Sequence, residues 1–147
     1  EEWISFLIAL RGQVGTFNLG DPMAETPRGS ARNADNLSIN GALTNGSEIV
    51  MDGGVQNQTG YLKAGDYLQI GTGPTQQLFK VLADANTNGT GQITVDVWPN
   101  VRTTIANDAA VTVQSTKGIF RLQTNETVWN INEMAVYGIT FAAIEAI

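Results

Sequence analysis

The chain has 147 residues, a formal net charge of −6 and a charged fraction of only 15%, well under the roughly 25% of ordinary globular chains. It contains neither cysteine nor histidine, which excludes disulfides, thiol nucleophiles, Cys/His zinc sites and histidine-based triads. The acidic balance argues against gripping nucleic acid, because phosphate contacts need clustered Lys and Arg, and no apolar run reaches the roughly 18 residues of a membrane span.

The first element is "EEWISFLIALRG". Trp3, Phe6, Leu7 and Leu10 fall on one stripe at helical spacing and are expected to form the packing face of an amphipathic helix. Glu1 and Glu2 suit the positive end of such a helix and Gly12 suits its stop. A helix this apolar at the first residue leads us to expect further residues ahead of Glu1. "VGTFNLG" then reads as a short strand. "DPMAETPRGSARNADN", with Pro22, Pro27 and many small polar residues, reads as a long surface loop.

Leu37–Ile39 and Ile49–Met51 are short apolar runs separated by Asn-Gly turn signals. From Tyr61 the pattern sharpens: a turn at Ala64-Gly65-Asp66, a strand over Tyr67–Ile70, then "LFKVLA", "ITVDVW" and "AVTV". Ile93, Val95 and Val97 alternate with polar residues, so one face of that strand is expected inside. Strands of this length and spacing predict a small antiparallel barrel or sandwich. The tail carries Phe120 and Leu122, then Trp129 and Ile131, then Tyr137, Ile139 and Phe141, which predicts three more strands, the last one long. The chain is expected to be mainly β with one helix.

Candidate sites are few. "DANTNGTGQITV" (84–95) opens as an EF-hand calcium loop does, with Asp-x-Asn-x-Asn-Gly. Its twelfth position is Val95 where the bidentate Glu belongs, and its flanks are strand-like, so a hairpin connection is expected and no metal. "GTGPTQ" (71–76) lacks the Gly-Lys-Ser/Thr ending of a phosphate loop and reads as another connection. Asp66, Asp84, Asp96 and Asp108 could in principle supply paired carboxylates, but nothing marks two of them as facing each other. No catalytic residue and no cofactor is expected. Tyr67 and Trp98 are the aromatics suited to surface contact, for instance stacking on a sugar ring, although core packing or a subunit interface explains them equally well. Arg28, Arg32, Arg102 and Arg121 are scattered and make no basic stripe.

Three blocks taken together, "EEWISFLIALRGQVGTFNLGDPMAETPRG", "GYLKAGDYLQIGTG…LFKVL…ITVDVWPNVR" and "KGIFRLQTNETVWNINEMAVYGITFAAIEAI", resemble the distal tail, or tail-tip, proteins of long-tailed bacteriophages. The resemblance covers nearly the whole chain and rests on the order of its blocks, not on a catalytic signature. It implies a tail-tube-like β-sandwich with one packed helix, carrying an inserted small antiparallel β-barrel lobe. The core would comprise residues 1–32 and 117–147, with its N-terminal strands ahead of Glu1, and the lobe residues 33–116. It also implies a structural, non-enzymatic component at the tip of the virion's tail, assembled in the cytoplasm of the bacterial host. Identical subunits would form a six-fold ring joining the tail tube to the baseplate or fibres. DNA would pass through without specific binding, and nothing would insert into a membrane. A carbohydrate-binding module touching the host surface is the alternative.

Overall fold

The computed structural model describes residues 2–126, 129–131 and 137–146. The chain divides into two compact units, Glu1–Leu19 with Ile119–Ala146, and Gly20–Gly118. The second interrupts the first in sequence. Among the described residues there is one α-helix, and the rest of the regular structure is essentially strand. That helix is not long and apolar enough to cross a membrane.

The larger unit is a six-stranded antiparallel sheet. Its strands are β2 (Ser38–Ile39), β3 (Glu48–Asp52), β4 (Tyr67–Ile70), β5 (Gln77–Val81), β6 (Ile93–Trp98) and β7 (Val111–Thr112), in the order β2-β3-β6-β5-β4-β7. The two outer strands approach each other. Ile39 N–H donates to the Ala109 carbonyl at 3.0 Å, and Val111 N–H donates to Leu37 at 2.9 Å. A bridge between Ser38 and Ala110 lies between them. The sheet is therefore a nearly closed barrel, which removes most of the exposed edge that an open sheet would present.

Period-two alternation decides which side chains enter it. Ile93, Val95 and Val97 of β6, Phe79 and Val81 of β5, Leu68 and Ile70 of β4, and Ile49 and Met51 of β3 are all buried. Tyr61 and Leu62, from the segment before β4, complete the core. Each such side chain contributes about 1.5–3 kcal/mol when fully buried. The six-residue connection 71–76 joins two paired neighbours, β4 and β5, in the register Ile70↔Gln77. It is a connection and not a phosphate loop.

Residues 20–32, expected in the core with the helix, belong to this barrel unit. The reason is backbone pairing: Ser30 and Ala31 N–H donate to the carbonyls of Gly60 and Tyr61. Arg28 and Gly29 N–H donate to the Asp66 carboxylate. The segment has too few apolar residues to announce this.

The smaller unit holds α1 (Glu2–Ala9), β1 (Thr16–Leu19), β8 (Gly118–Leu122), β9 (Trp129–Ile131), β10 (Tyr137–Ile139) and β11 (Ala143–Glu145). β1, β8 and β11 make a three-stranded sheet with β8 central, and β9 pairs with β10. The long last strand expected from sequence is two short ones, because β10 pairs with β9 while β11 pairs with β8 in the register Ala143↔Leu122. The helix ends where Arg11 and Gly12 take φ values of 52° and 69°. This left-handed turn is cheapest at glycine.

The helix face differs in part from expectation. Leu7 and Leu10 are buried with Leu122, and Phe6 packs half-buried against them with Phe17, Ile139 and Phe141. Trp3 is 61% exposed. Its ring meets the edge of Phe6 at 5.9 Å, and Phe6 in turn meets Phe17 of β1 at 5.6 Å. The sheet reaches the helix through Phe17 and leaves the first turn uncovered.

Candidate functional site

The outward face of the barrel brings together residues that are far apart in sequence. Tyr67 of β4 stands opposite Lys80 of β5, and Lys80 stands opposite Trp98 of β6. The three form one row across three adjacent strands. Neighbouring strands lie about 4.7–4.9 Å apart, so the backbones at Tyr67 and Trp98 stand about 10 Å apart with that of Lys80 between them. The Lys80 ammonium sits 4.8 Å from the centre of the Tyr67 ring and donates to its hydroxyl at 3.2 Å. At an exposed position such a cation–π contact is worth about 0.5–1 kcal/mol, enough to hold the lysine over the ring.

Trp98 is 66% exposed, while Tyr67 is half-buried. Leu82 follows Lys80 on the same face, is exposed, and donates its N–H to the Asp96 carbonyl. The row thus offers two aromatic rings, a cation and an exposed leucine at its margin. Its polar groups are the Lys80 ammonium and the Tyr67 hydroxyl that it hydrogen-bonds. The groups it exposes can stack, hydrogen-bond and carry charge.

Side-chain oxygens of the calcium-like stretch are engaged by the protein's own backbone. Asp84 Oδ1 accepts from Ala64 N–H at 2.9 Å, and Asn86 Oδ1 accepts from Gly60 N–H at 2.6 Å. Asn88 Oδ1 accepts from Thr90 and Gln92 N–H, both at 2.9 Å. Three oxygens that would converge on an ion instead take separate amides. Thr87 adds a hydroxyl that accepts from Gln58 N–H and donates to the Val55 carbonyl. The stretch connects β5 and β6, as expected of a hairpin, and its long tip folds over residues 55–64 through the Leu62–Ala85 bridge.

The other aspartates are engaged separately. Asp66 is buried and accepts three backbone amides, from Arg28, Gly29 and Lys63. Its oxygens are occupied and cannot serve as a base without breaking the loop. Asp108 accepts from the Asn107 side chain, and Asp96 faces outward on β6. Among the described residues, no group of three or more acidic side chains could hold a metal ion.

Surface hollows lie on both units. One of about 340 Å³ is lined by Glu2, Trp3 and Phe6 on the helix. One of about 230 Å³ on the barrel is lined by Ile70, Gln77, Ile105 and neighbours, with no ionisable side chain.

Sequence reasoning named Tyr67 and Trp98 but not Lys80 or Leu82. The signal was present: with Phe79 and Val81 inside, alternation sends residues 80 and 82 outward. No protein-family model matches this chain, and no curated protein matches it significantly.

Proposed function

We propose that the chain is a structural subunit of a ring at the distal end of a phage tail. The ring joins the tail tube to the baseplate or fibres around a DNA channel. The observation that carries this reading is the unfinished surface of the smaller unit. Trp3, Ile8, Val14, Leu19 and Ile144 are apolar and exposed, Val14 by 82%. Among the described residues, β1 and β11 each have only one neighbour in their sheet. Open edges flanked by apolar side chains are a hazard in a lone protein and an asset in one whose neighbours cover them. The barrel unit also exposes Met23, Val55, Leu82 and Trp98, but its sheet nearly closes on itself and leaves little open edge.

The three-block resemblance supports the same reading, with the helix-and-sheet unit as the tail-tube-like sandwich and the barrel as its lobe. Identical copies joined around an axis would cap each other's edges. A net charge of −6 suits a channel past which the phosphate backbone slides without sticking. Immunogold labelling of virions that encode the chain tests the placement. Label at the tail tip is expected, and tails that stay unlabelled at both ends would contradict it.

The row Tyr67–Lys80–Trp98 favours a second reading for the lobe, carbohydrate binding at the host surface. An exposed tryptophan beside a lysine-capped tyrosine is a platform for stacking sugar rings. The two readings are compatible, since a ring at the tail tip can carry adhesive lobes. Glycan-array binding by the chain, lost in Trp98→Ala, is the expected result; no binding to any glycan removes this reading.

A further inference from the structure

Asn-Gly occurs three times, at Asn40-Gly41, Asn45-Gly46 and Asn88-Gly89. In an Asn-Gly pair the glycine nitrogen can attack the asparagine Cγ, unhindered because glycine has no side chain. That nitrogen loses its proton, ammonia leaves, and a succinimide ring forms. Water then opens the ring at either carbonyl, giving aspartate or isoaspartate. The three sites share this chemistry but not its geometry.

At Asn40-Gly41 the attacking nitrogen is held, since Gly41 N–H donates to Asn107 Oδ1 at 2.7 Å. Asn40 is also pinned, its own N–H donating to the Val50 carbonyl. At Asn88-Gly89 the electrophile is held. Asn88 Oδ1 accepts from Thr90 N–H, the Thr90 hydroxyl and Gln92 N–H, at 2.8–2.9 Å. At Asn45-Gly46 neither partner is held. Among the described residues, the Asn45 side chain and the Gly46 N–H have no hydrogen-bond partner, and Asn45 is exposed. Gly46 has φ 105°, and no atom stands within 4 Å of where its Cβ would be. Gly41 is equally open, so what sets Asn45 apart is the lack of a tether on either reacting group.

We infer that Asn45 is a self-modification site, deamidating through a succinimide while Asn40 and Asn88 stay protected by the fold. The inference is independent of the ring assembly proposed above. Its consequence is local and physical. Isoaspartate inserts one extra carbon into the backbone between the Leu43–Ile105 pair, bonded at 2.9 and 2.8 Å, and the Gly46 carbonyl that accepts from Val101 N–H at 2.9 Å. Both anchors cannot keep their register. A new carboxylate also arrives three residues before Glu48, which already faces Asp96 across β3 and β6.

The test is to age the purified native chain at mildly alkaline pH, follow each site by peptide mass spectrometry, and label isoaspartate with an isoaspartyl methyltransferase. A parallel sample is aged in denaturant. In the native chain Asn45 should convert about tenfold faster than Asn40 or Asn88, the factor represented by one hydrogen bond of ordinary net strength. In the denatured chain the three rates should converge. Asn40 or Asn88 converting as fast as Asn45 in the native sample would overturn the inference. So would an inert native Asn45 in a chain whose denatured form reacts.

Discussion

The buried carboxylate of Asp66 accepts the backbone N–H of Arg28 at 2.7 Å across 38 residues of sequence. The same group takes Gly29 N–H at 3.2 Å and Lys63 N–H at 2.8 Å, so one side chain fastens the 20–32 loop to the turn before β4. Hydrogen bonds to a charged acceptor are worth about 1.5–3 kcal/mol each. In Asp66→Asn the charge is lost and an NH₂ group is turned toward amide donors. Unfolding in urea should show a lower midpoint with an unchanged slope, corresponding to a loss of about 3 kcal/mol. A midpoint equal to that of the parent would show that the loop is held by something else.

Tyr61 gives the barrel a defined response to alkali. Its hydroxyl donates to Asp35 at 2.5 Å. Burial first, and then the Asp35 hydrogen bond and charge, push its pKa far above the usual value. Below about pH 10, the pKa of a free tyrosine, folded and unfolded chains both hold this proton and the group adds no pH dependence. Above it the unfolded chain releases the proton while the folded chain keeps it, so stability falls as pH rises. The slope should reach at most about 1.4 kcal/mol per pH unit from this group. Urea unfolding of the parent and of Tyr61→Phe across that range should differ in slope, the variant being flatter. Identical slopes would mean that Tyr61 titrates normally.

The barrel should stand by itself. All the residues of its buried cluster lie between Ala31 and Val113. Residues 20–118 expressed alone are expected to unfold cooperatively, as monitored by circular dichroism in urea. Phe79→Ala in that fragment should cost about 3–5 kcal/mol. A fragment without a cooperative transition would show that the lobe depends on the helix-bearing unit.

On the outward face, stability and adhesion should separate. Trp98 is mostly exposed, so Trp98→Ala should change stability by less than about 1 kcal/mol. Lys80→Ala should be similarly mild, losing one exposed cation–π contact of about 0.5–1 kcal/mol. If the row is adhesive, both variants lose ligand retention on glycan arrays while their urea midpoints barely move. Loss of binding only in step with loss of fold would deny the row a role of its own.

How much of this was legible depends on whether the determinant is local. The strands from Tyr67 onward are readable because β6 alternates without interruption, Ile93, Val95 and Val97 inward and Thr94, Asp96 and Trp98 outward. The meeting of residues 37–39 with 109–111 was not readable. It is backbone pairing between distant segments, and it leaves no mark on side-chain pattern. The docking of 20–32 was hidden for a related reason, since an aspartate that gathers amides looks like any surface aspartate until its partners are placed. Trp3 shows a third limit: helical spacing identifies an apolar stripe but not how far a neighbouring sheet extends along it. Tyr67 and Trp98 were named singly, and only the strand order set Lys80 between them.

The proposed ring requires the smaller unit's apolar residues and strand edges to be covered by identical copies. Sedimentation equilibrium of the purified chain over a wide concentration range measures this directly. The expected result is a closed hexamer that dissociates when Ile8 and Val14 are both replaced by Glu. A monomer at every concentration, with Ile8 and Val14 indifferent to the change, would contradict it.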